Sequence, residues 1–269
     1  MTRDDDGRRI KSVDRTVEIM EGIHALGGAT VSELAERTGL SPGTVHTHLS
    51  TLDDRGFVRK VDGRYDLGYQ LMVFGEYVRN HSTLYRHGRE VVDGLADETG
   101  DAVHLIVEDD GLEVILYESF GQDAVGTEFY IQNREFATRH LHYSAAGKAI
   151  LAHLSRERVE EIVERHGLPG RTDRTVGDVD VLFEELERVR DRGFAVNDEE
   201  AVRGLHAVGA PVLDRYKEPI GAISLSAPTS RHRNDAFADE AVERVMEAAN
   251  IIEVNVQTSD IEQDRFESE

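Results

Sequence analysis

The sequence predicts an α+β protein in two parts, a small helical unit closed by a hairpin and a larger unit of helices around a mainly antiparallel sheet. Three observations predict it. Thr30–Leu52 carries the caps and apolar spacing of two short helices joined by a tight turn. Gly56–Gly68 places two short apolar runs either side of Asp62-Gly63, a two-residue hairpin signal. From about residue 83, helical and strand-like patterns succeed one another to residue 257.

Residues 1–9 are polar and are expected to be disordered. Ser12 opens a helix whose apolar face holds Val13, Val17, Ile19, Met20, Ile23 and Leu26, and Gly27-Gly28 stops it. Thr30 with Glu33 reads as a capping box, and Gly39 stands where a left-handed residue ends the second helix. Ser41 and Pro42 open the third helix. Its Val45, Leu49 and Leu52 share one buried stripe. The opposite side, with Ser41, Gly43, Thr44, His46, Thr47, Ser50 and Thr51, is polar, small and uncharged, as suits a helix entering a DNA major groove. A third helix followed by a hairpin makes a winged helix-turn-helix. Arg59, Lys60 and Arg64 lie on the wing and Arg55 at the end of the third helix, where they would contact phosphates. A helix from Gly68 to about Asn80 is apolar nearly all round, so a second subunit is expected to cover it.

The larger part begins with an amphipathic helix over Leu84–Thr99. Strands are expected at Ala102–Glu108 and Leu112–Ser119, and shorter ones at Phe129–Gln132 and Arg139–Tyr143. Helices are expected from Ser144 through Leu154, over Ser155–His166 and over Val179–Arg192. Strands at Phe194–Asn197, Leu205–Leu213 and Pro219–Ala227 precede a closing helix, Asn234–Val256.

The net charge is −22, with no cysteine and only four lysines. Residues 1–80 hold 11 basic and 13 acidic groups, a net of −2, and the rest hold 20 and 40, a net of −20. An acid-rich, lysine-poor surface suggests a halophile, where high net charge keeps a protein in solution. The absence of cysteine excludes disulfides and thiolate metal sites. No apolar run reaches the ~20 residues that span a bilayer, and the N-terminus has no signal-peptide core. A cytoplasmic location is expected.

Catalytic signatures are weak. Ala146-Gly147-Lys148 lacks the first glycine and the Ser/Thr of a phosphate loop, and Gly204–Gly209 is not a dinucleotide fingerprint. His140 and His142 would share one strand face without a third ligand, so no metal is expected. Asp198, Glu199 and Glu200 say little in so acidic a chain. The chain is expected not to be an enzyme and to need no cofactor. A binding pocket has better support. Ser144 caps a helix whose first turn is Ala145-Ala146-Gly147, and Ser224 and Ser226 face the same side of one strand. Buried there, the two hydroxyls need partners, which either a small polar ligand or neighbouring backbone could supply.

Taken together, SVDRTVEIMEGI, the helix-turn-helix, GFVRKVDGRYDLG, HYSAAGKAILAHL, RGFAVNDEEAVRGLHAVGAPVLD and PIGAISLSAPTSR resemble the isocitrate-lyase-regulator-type (IclR-type) family of transcription regulators over residues 10–257. The resemblance implies a winged helix-turn-helix domain at 10–68, a linker helix at 69–82 that joins two subunits, and a GAF-like effector-binding domain at 83–257. Residues 258–269 would form an acidic tail. It implies a homodimer or dimer of dimers on a double-stranded DNA operator, controlling catabolic genes. A small effector such as a carboxylate, sugar acid or aromatic acid would be held by Ala145, Ala146, Asn197, Ala207, Ser224 and Ser226. Asn197 stands where an aspartate is frequent and Ala207 where a cysteine can occur. His48 replaces a commonly apolar position, and its place at the edge of the stripe suggests that it partly faces DNA. The alternative is a DNA-binding regulator whose second domain only oligomerises and binds no ligand.

Overall fold

The structure is a computed structural model that describes residues 10–125, 139–232 and 235–267, with side chains described except at 232–238 and 260–267. The expected disordered start and the Phe129–Gln132 strand lie outside the described residues. The chain divides into two compact units, Met1–Val78 and Arg79–Glu269. The division falls four residues before the expected boundary, inside the linker helix.

The first unit contains α1 (Lys11–Leu26), α2 (Val31–Thr38), α3 (Pro42–Asp54), β1 (Val58–Val61), β2 (Arg64–Leu67) and the start of α4 (Gln70–His81). The caps form as the residue types demand. Gly27 and Gly39 end α1 and α2 with φ of 60° and 68°. The Thr30 hydroxyl accepts from the Glu33 N–H, and the Thr30 N–H donates to the Glu33 carboxylate at 2.7 Å. Ser41 Oγ accepts from the Thr44 N–H at 3.1 Å. Asp62 and Gly63 take φ of 50° and 84°, the turn that lets β1 and β2 pair with Val61 opposite Arg64. Ile19, Ile23, Leu34, Val45, Leu49, Val58 and Tyr65 close one core. None of the residues of α4 is buried within the single chain. Tyr69, Met72, Val73, Phe74, Tyr77 and Val78 are 52–69% exposed.

The second unit opens with α5 (Thr83–Thr99), and its described residues form a five-stranded antiparallel sheet in the order β4-β3-β7-β6-β5. Its strands are β3 (Ala102–Asp109), β4 (Leu112–Phe120), β5 (Ala195–Asp198), β6 (Leu205–Leu213) and β7 (Pro219–Pro228). One face, with Val103, Leu105, Val208, Ala210, Ile223 and Leu225, packs on α5 and on the long final helix. The other face carries α6 (Ala145–Leu151), α7 (Arg156–His166) and α8 (Val179–Arg192), through a core that includes Ile106, Leu141, Ile150, Leu182 and Leu186. After β7 come a single turn, α9 (Thr229–His232), and α10 (Asp235–Glu267).

Three expectations need correction. Arg139–Tyr143 is not a strand: one bridge joins His140 to Leu112, and Leu141–Tyr143 is a 3-10 turn. Helix α6 ends at Leu151, where the His153 and Leu154 N–H groups turn onto the Ile150 and Leu151 carbonyls and Ser155 caps α7. The acidic tail is not separate, since α10 continues through it to Glu267.

Candidate functional site

In the first unit the predicted reading face is in place. Ser41, Gly43, His46, Thr47, Ser50 and Thr51 are exposed, Thr44 is half-buried, and Val45, Leu49 and Leu52 point into the core. Thr47 and Thr51 donate their hydroxyls to the carbonyls of Gly43 and Thr47, at 2.9 and 3.1 Å, so each presents a methyl group and an acceptor outward. His46 has no side-chain partner among the described residues. His48 differs from the expectation. It is half-buried, and its Nδ1 lies 2.8 Å from Thr16 Oγ1, which ties the ring to α1.

The wing charges are less available than the sequence suggested. Arg64 donates to the Gly28 carbonyl at 2.7 Å and pairs with Glu33 at 3.1 Å, so it clips the end of α1 to the start of α2. Thr30 and Arg64 together hold the Glu33 carboxyl below its ordinary range, the Thr30 hydrogen bonds contributing most. Arg59 lies 3.7 Å from Asp66 and donates to the Tyr69 hydroxyl. Lys60 makes one contact among the described residues, over the Tyr65 ring at 5.3 Å, and Arg55 makes none.

The second unit contains a cavity over the sheet, beside the start of α6. Strand register assembles its floor. His104 pairs with Ser224 and Ser224 with Gly209, while Ser226 pairs with Ala207 and Ala207 with Asn197. These side chains therefore share one face. Glycine brings α6 down onto it. A Cβ at Gly209 would stand 2.6 Å from the Ala145 carbonyl carbon, and one at Gly147 would stand 2.2 Å from the Leu141 oxygen. About 70 Å³ is open to the centres of water-sized atoms, several times the roughly 10–15 Å³ that one water needs.

Of the residues expected to hold an effector, Ser144, Ala145, Asn197, Ala207, Ser224 and Ser226 line this cavity. Ala146 does not, since it lies on the side of α6 packed into the core. Ser224 and Ser226 are 4% and 8% exposed, and neither hydroxyl has a hydrogen-bond partner among the described residues. Asn197 Oδ1 accepts from the N–H groups of Glu200 and Ala201, at 2.9 and 3.4 Å, which shapes the cavity rim. Ser144 Oγ accepts from the Gly147 N–H at 2.8 Å and donates to Glu113.

Several lining residues were not anticipated: His104, Glu113, Arg139, Tyr143 and Arg171. Glu113 is buried, and burial pushes its carboxyl above the usual range, with Ser144 and Arg139 pulling back. His104 Nε2 lies 3.8 Å from Glu118. Behind the rim, the buried Lys148 ammonium sits 2.6 Å from Glu200. The inward alternation of Glu113 and Ile115 along the strand was a readable signal for Glu113. Nothing local marks Arg139 or Arg171.

His140 and His142 are brought to one turn, their rings 5.8 Å apart, with His166 6.3 Å from His140. Burial lowers His142 to about 4, and its Nε2 lies 3.2 Å from the Pro169 carbonyl. Among the described residues no group of three or more His, Cys, Asp or Glu is placed to hold a metal ion, and no helix is long and apolar enough to cross a membrane.

A winged helix-turn-helix followed by an α+β unit with its own cavity defines a DNA-binding regulator of two functional parts. Residues 12–62 match the IclR helix-turn-helix domain and residues 76–254 the C-terminal domain of bacterial IclR transcriptional regulators. The chain is 43% identical to a probable HTH-type transcriptional regulator, ArcR, of Halobacterium salinarum, over 94% of this chain and 96% of that one. It is 32% identical to the transcriptional repressor IclR of Escherichia coli, over 86% and 85%. The Thermotoga maritima IclR crystal structure superposes with a TM-score of 0.72 at 26% identity, covering 92% of this chain and 99% of that one. A homolog from Microbacterium hydrocarbonoxydans complexed with 4-hydroxybenzoate shares the fold, at 22% identity and a TM-score of 0.75 over 91% and 98%. The chain belongs to the IclR family of transcriptional regulators. The Halobacterium relative accords with the halophile reading of the composition.

Proposed function

We propose that the protein is a dimeric, operator-binding regulator of catabolic genes whose DNA affinity is set by a small molecule in the cavity of its second unit. The observation that carries the ligand reading is the pair Ser224 and Ser226, buried hydroxyls without partners that face an open cavity. The DNA reading rests on the uncharged outer face of α3 and on family membership. The dimer reading rests on the six exposed apolar residues of Tyr69–Val78, too large a patch for a lone subunit to leave in water. Control of catabolic genes is suggested by relatives named for the acetate and glycerol operons, each 30% identical to this chain.

DNA is read by Ser41, Gly43, Thr44, His46, Thr47, Ser50 and Thr51, with Arg55, Arg59 and Lys60 on phosphates. His48 supports the face through Thr16. The effector is held by Ser144, Ala145, Asn197, Ala207, Ser224 and Ser226, and no resident cofactor takes part. A ligand can shift DNA affinity only if it binds two states of the protein unequally.

The test is fluorescence anisotropy on the DNA upstream of neighbouring genes, with and without candidate effectors, on the wild type and on a Ser224→Ala, Ser226→Ala variant. The variant should bind DNA as the wild type does and lose the effector response. A response that survives both substitutions refutes the site. A Phe74→Glu, Tyr77→Glu variant should run as a monomer in light scattering and lose affinity for two-half-site DNA. A variant that remains dimeric refutes the assignment of α4.

A further inference from the structure

The uncharged outer face of α3 has to recognise bases without the side chains that most often do so, and the way its threonines are held bears on how. We infer that Thr47 reads sequence through its methyl group, in contact with the C5-methyl group of a thymine in the major groove, so that this part of recognition is apolar and insensitive to salt. The inference rests on the reading of α3 as the operator-reading helix.

From Ser41 to Thr51 the chain has no Arg, Lys, Asn or Gln. The two-point hydrogen bonds by which those side chains recognise guanine and adenine are therefore unavailable to this face. Its threonine hydroxyls are committed within the helix. A hydroxyl has one hydrogen to give. Thr47 gives its own to the Gly43 carbonyl at 2.9 Å, and Thr51 gives its own to the Thr47 carbonyl at 3.1 Å. One hydrogen is likewise used between the Ser41 and Thr44 oxygens, 2.8 Å apart. The bond to Gly43 also holds Thr47 in one of the two rotamers that a helical threonine adopts. With its oxygen turned back along the helix, the exposed side chain offers a groove its methyl group and the lone pairs of that oxygen. Thymine is the base that presents a methyl group in the major groove.

Contact between two methyl groups needs close approach, since a gap of about 0.5–1 Å forfeits a quarter to a half of the attraction. Gly43 supplies the clearance. It lies one turn before Thr47 on the same line of the helix. A Cβ there would meet only Ser41 Oγ, at 3.9 Å, and its φ is not left-handed. Neither packing nor backbone conformation asks for glycine at this position, and glycine weakens a helix. Its effect is to leave the line in front of Thr47 bare, so that a short side chain can reach a base edge. Thr47 also stands in the N-terminal half of α3, the part of a recognition helix that meets base edges. Salt separates this contact from the phosphate contacts. Those weaken as salt rises because they depend on counterion release, whereas a contact between methyl groups releases no counterion. Residues 1–80, with a net charge of −2, have little positive charge to draw on in any case.

The experiment uses the full chain and duplex DNA that it selects from a randomised library. Each thymine of the selected half-site is replaced in turn by uracil, which removes the C5-methyl group and keeps the hydrogen-bonding edge. Affinity is read by fluorescence anisotropy for the wild type, Thr47→Ser and Thr47→Val, at two KCl concentrations at which the wild type binds. Replacement of one thymine should weaken the wild type about fourfold, the effect of burying one methyl group, and by the same ratio at both salt concentrations. Thr47→Ser, which keeps the hydroxyl and loses the methyl group, should no longer distinguish the two bases there. Thr47→Val, which keeps a methyl group and loses the hydroxyl, should still distinguish them. A thymine effect that survives in Thr47→Ser belongs to the DNA or to another residue and overturns the inference, as does a half-site indifferent to every replacement. Discrimination kept by Thr47→Ser and lost by Thr47→Val overturns it too, because Thr47 then acts through its oxygen. A library in which no sequence is enriched overturns the operator reading itself, and this inference with it.

Discussion

Lys148→Met should be among the most destabilising single changes in the second unit. Lys148 lies on α6 with its side chain 2% exposed, and its ammonium sits 2.6 Å from Oε1 of Glu200, whose side chain is 10% exposed. The other Glu200 oxygen is buried with no hydrogen-bond partner among the described residues, so the lysine carries most of the compensation for that charge. Breaking a buried pair from one side costs about 3–5 kcal/mol. For a unit of this size each kcal/mol moves the midpoint roughly 2–4 °C, so the loss should be about 6–20 °C. Differential scanning calorimetry on the full chain reads it as a shift of the second unit's transition. The double variant Lys148→Met, Glu200→Gln should recover most of the loss, because the stranded charge is gone. The pH dependence has a definite sign. Burial raises the Glu200 carboxyl above its ordinary range, and Lys148 opposes this. Without the lysine the folded-state value rises further. A group raised on folding contributes stability at low pH and loses it as pH rises through its folded value. The gap between Lys148→Met and wild type should therefore narrow as pH falls from 8 towards 5. A loss under about 1 kcal/mol, or a double variant less stable than the single, would refute the argument.

Gly209→Ala should lower the midpoint of the second unit, because its Cβ would stand 2.6–2.8 Å from the backbone of Ala145 and Ala146; overpacking of this kind costs about 1–3 kcal/mol, and an unchanged midpoint in calorimetry counts against the close approach. Arg64→Ala should lower the midpoint of the first unit and leave the salt slope of DNA binding nearly unchanged, since its guanidinium is held by Gly28 and Glu33. Lys60→Ala should do the reverse, reducing that slope by about 0.9; equal effects of the two on the slope in anisotropy titrations would restore Arg64 as a phosphate contact. His142, lowered to about 4 by burial, binds its proton only at a cost to the fold. Its contribution is present above about pH 6.5 and drains away as pH falls towards 4, so His142→Asn should flatten the acid limb of a melting-temperature profile, and an identical limb in the variant speaks against it.

The first unit was legible almost residue by residue because its signals are local. A capping box needs only Thr30 and Glu33, and a hairpin turn of this kind needs only Asp62-Gly63. What could not be read was which carboxylate each arginine meets. Arg64 and Glu33 are 31 residues apart, and only the folded unit sets the end of α1 and the wing side by side. Charge clustering in a sequence therefore does not tell which wing arginines are paired within the unit. The His48 contact was hidden for the same reason, since its partner Thr16 lies on a different helix.

In the second unit, strand positions came from alternation, but alternation does not say which strands are neighbours. Ser224 and Ser226 could be placed on one face from their spacing alone. That His104 of β3 lies opposite Ser224, and that Asn197 reaches Ser226 through Ala207, depends on the order β4-β3-β7-β6-β5. Pairing β3 with β7 joins residues about 120 apart in the chain and leaves no periodic trace in either. The sequence therefore yielded the hydroxyls of the cavity and missed its charges. Glu113 stands on an edge strand and reaches Ser144 only because Gly147 and Gly209 let α6 settle directly on the sheet. Those two glycines, which as sequence suggested failed phosphate motifs, are the residues that bring the carboxyl group and the helix cap into one cavity. The shape of the cavity follows from that approach, and so would be altered by a methyl group at either glycine.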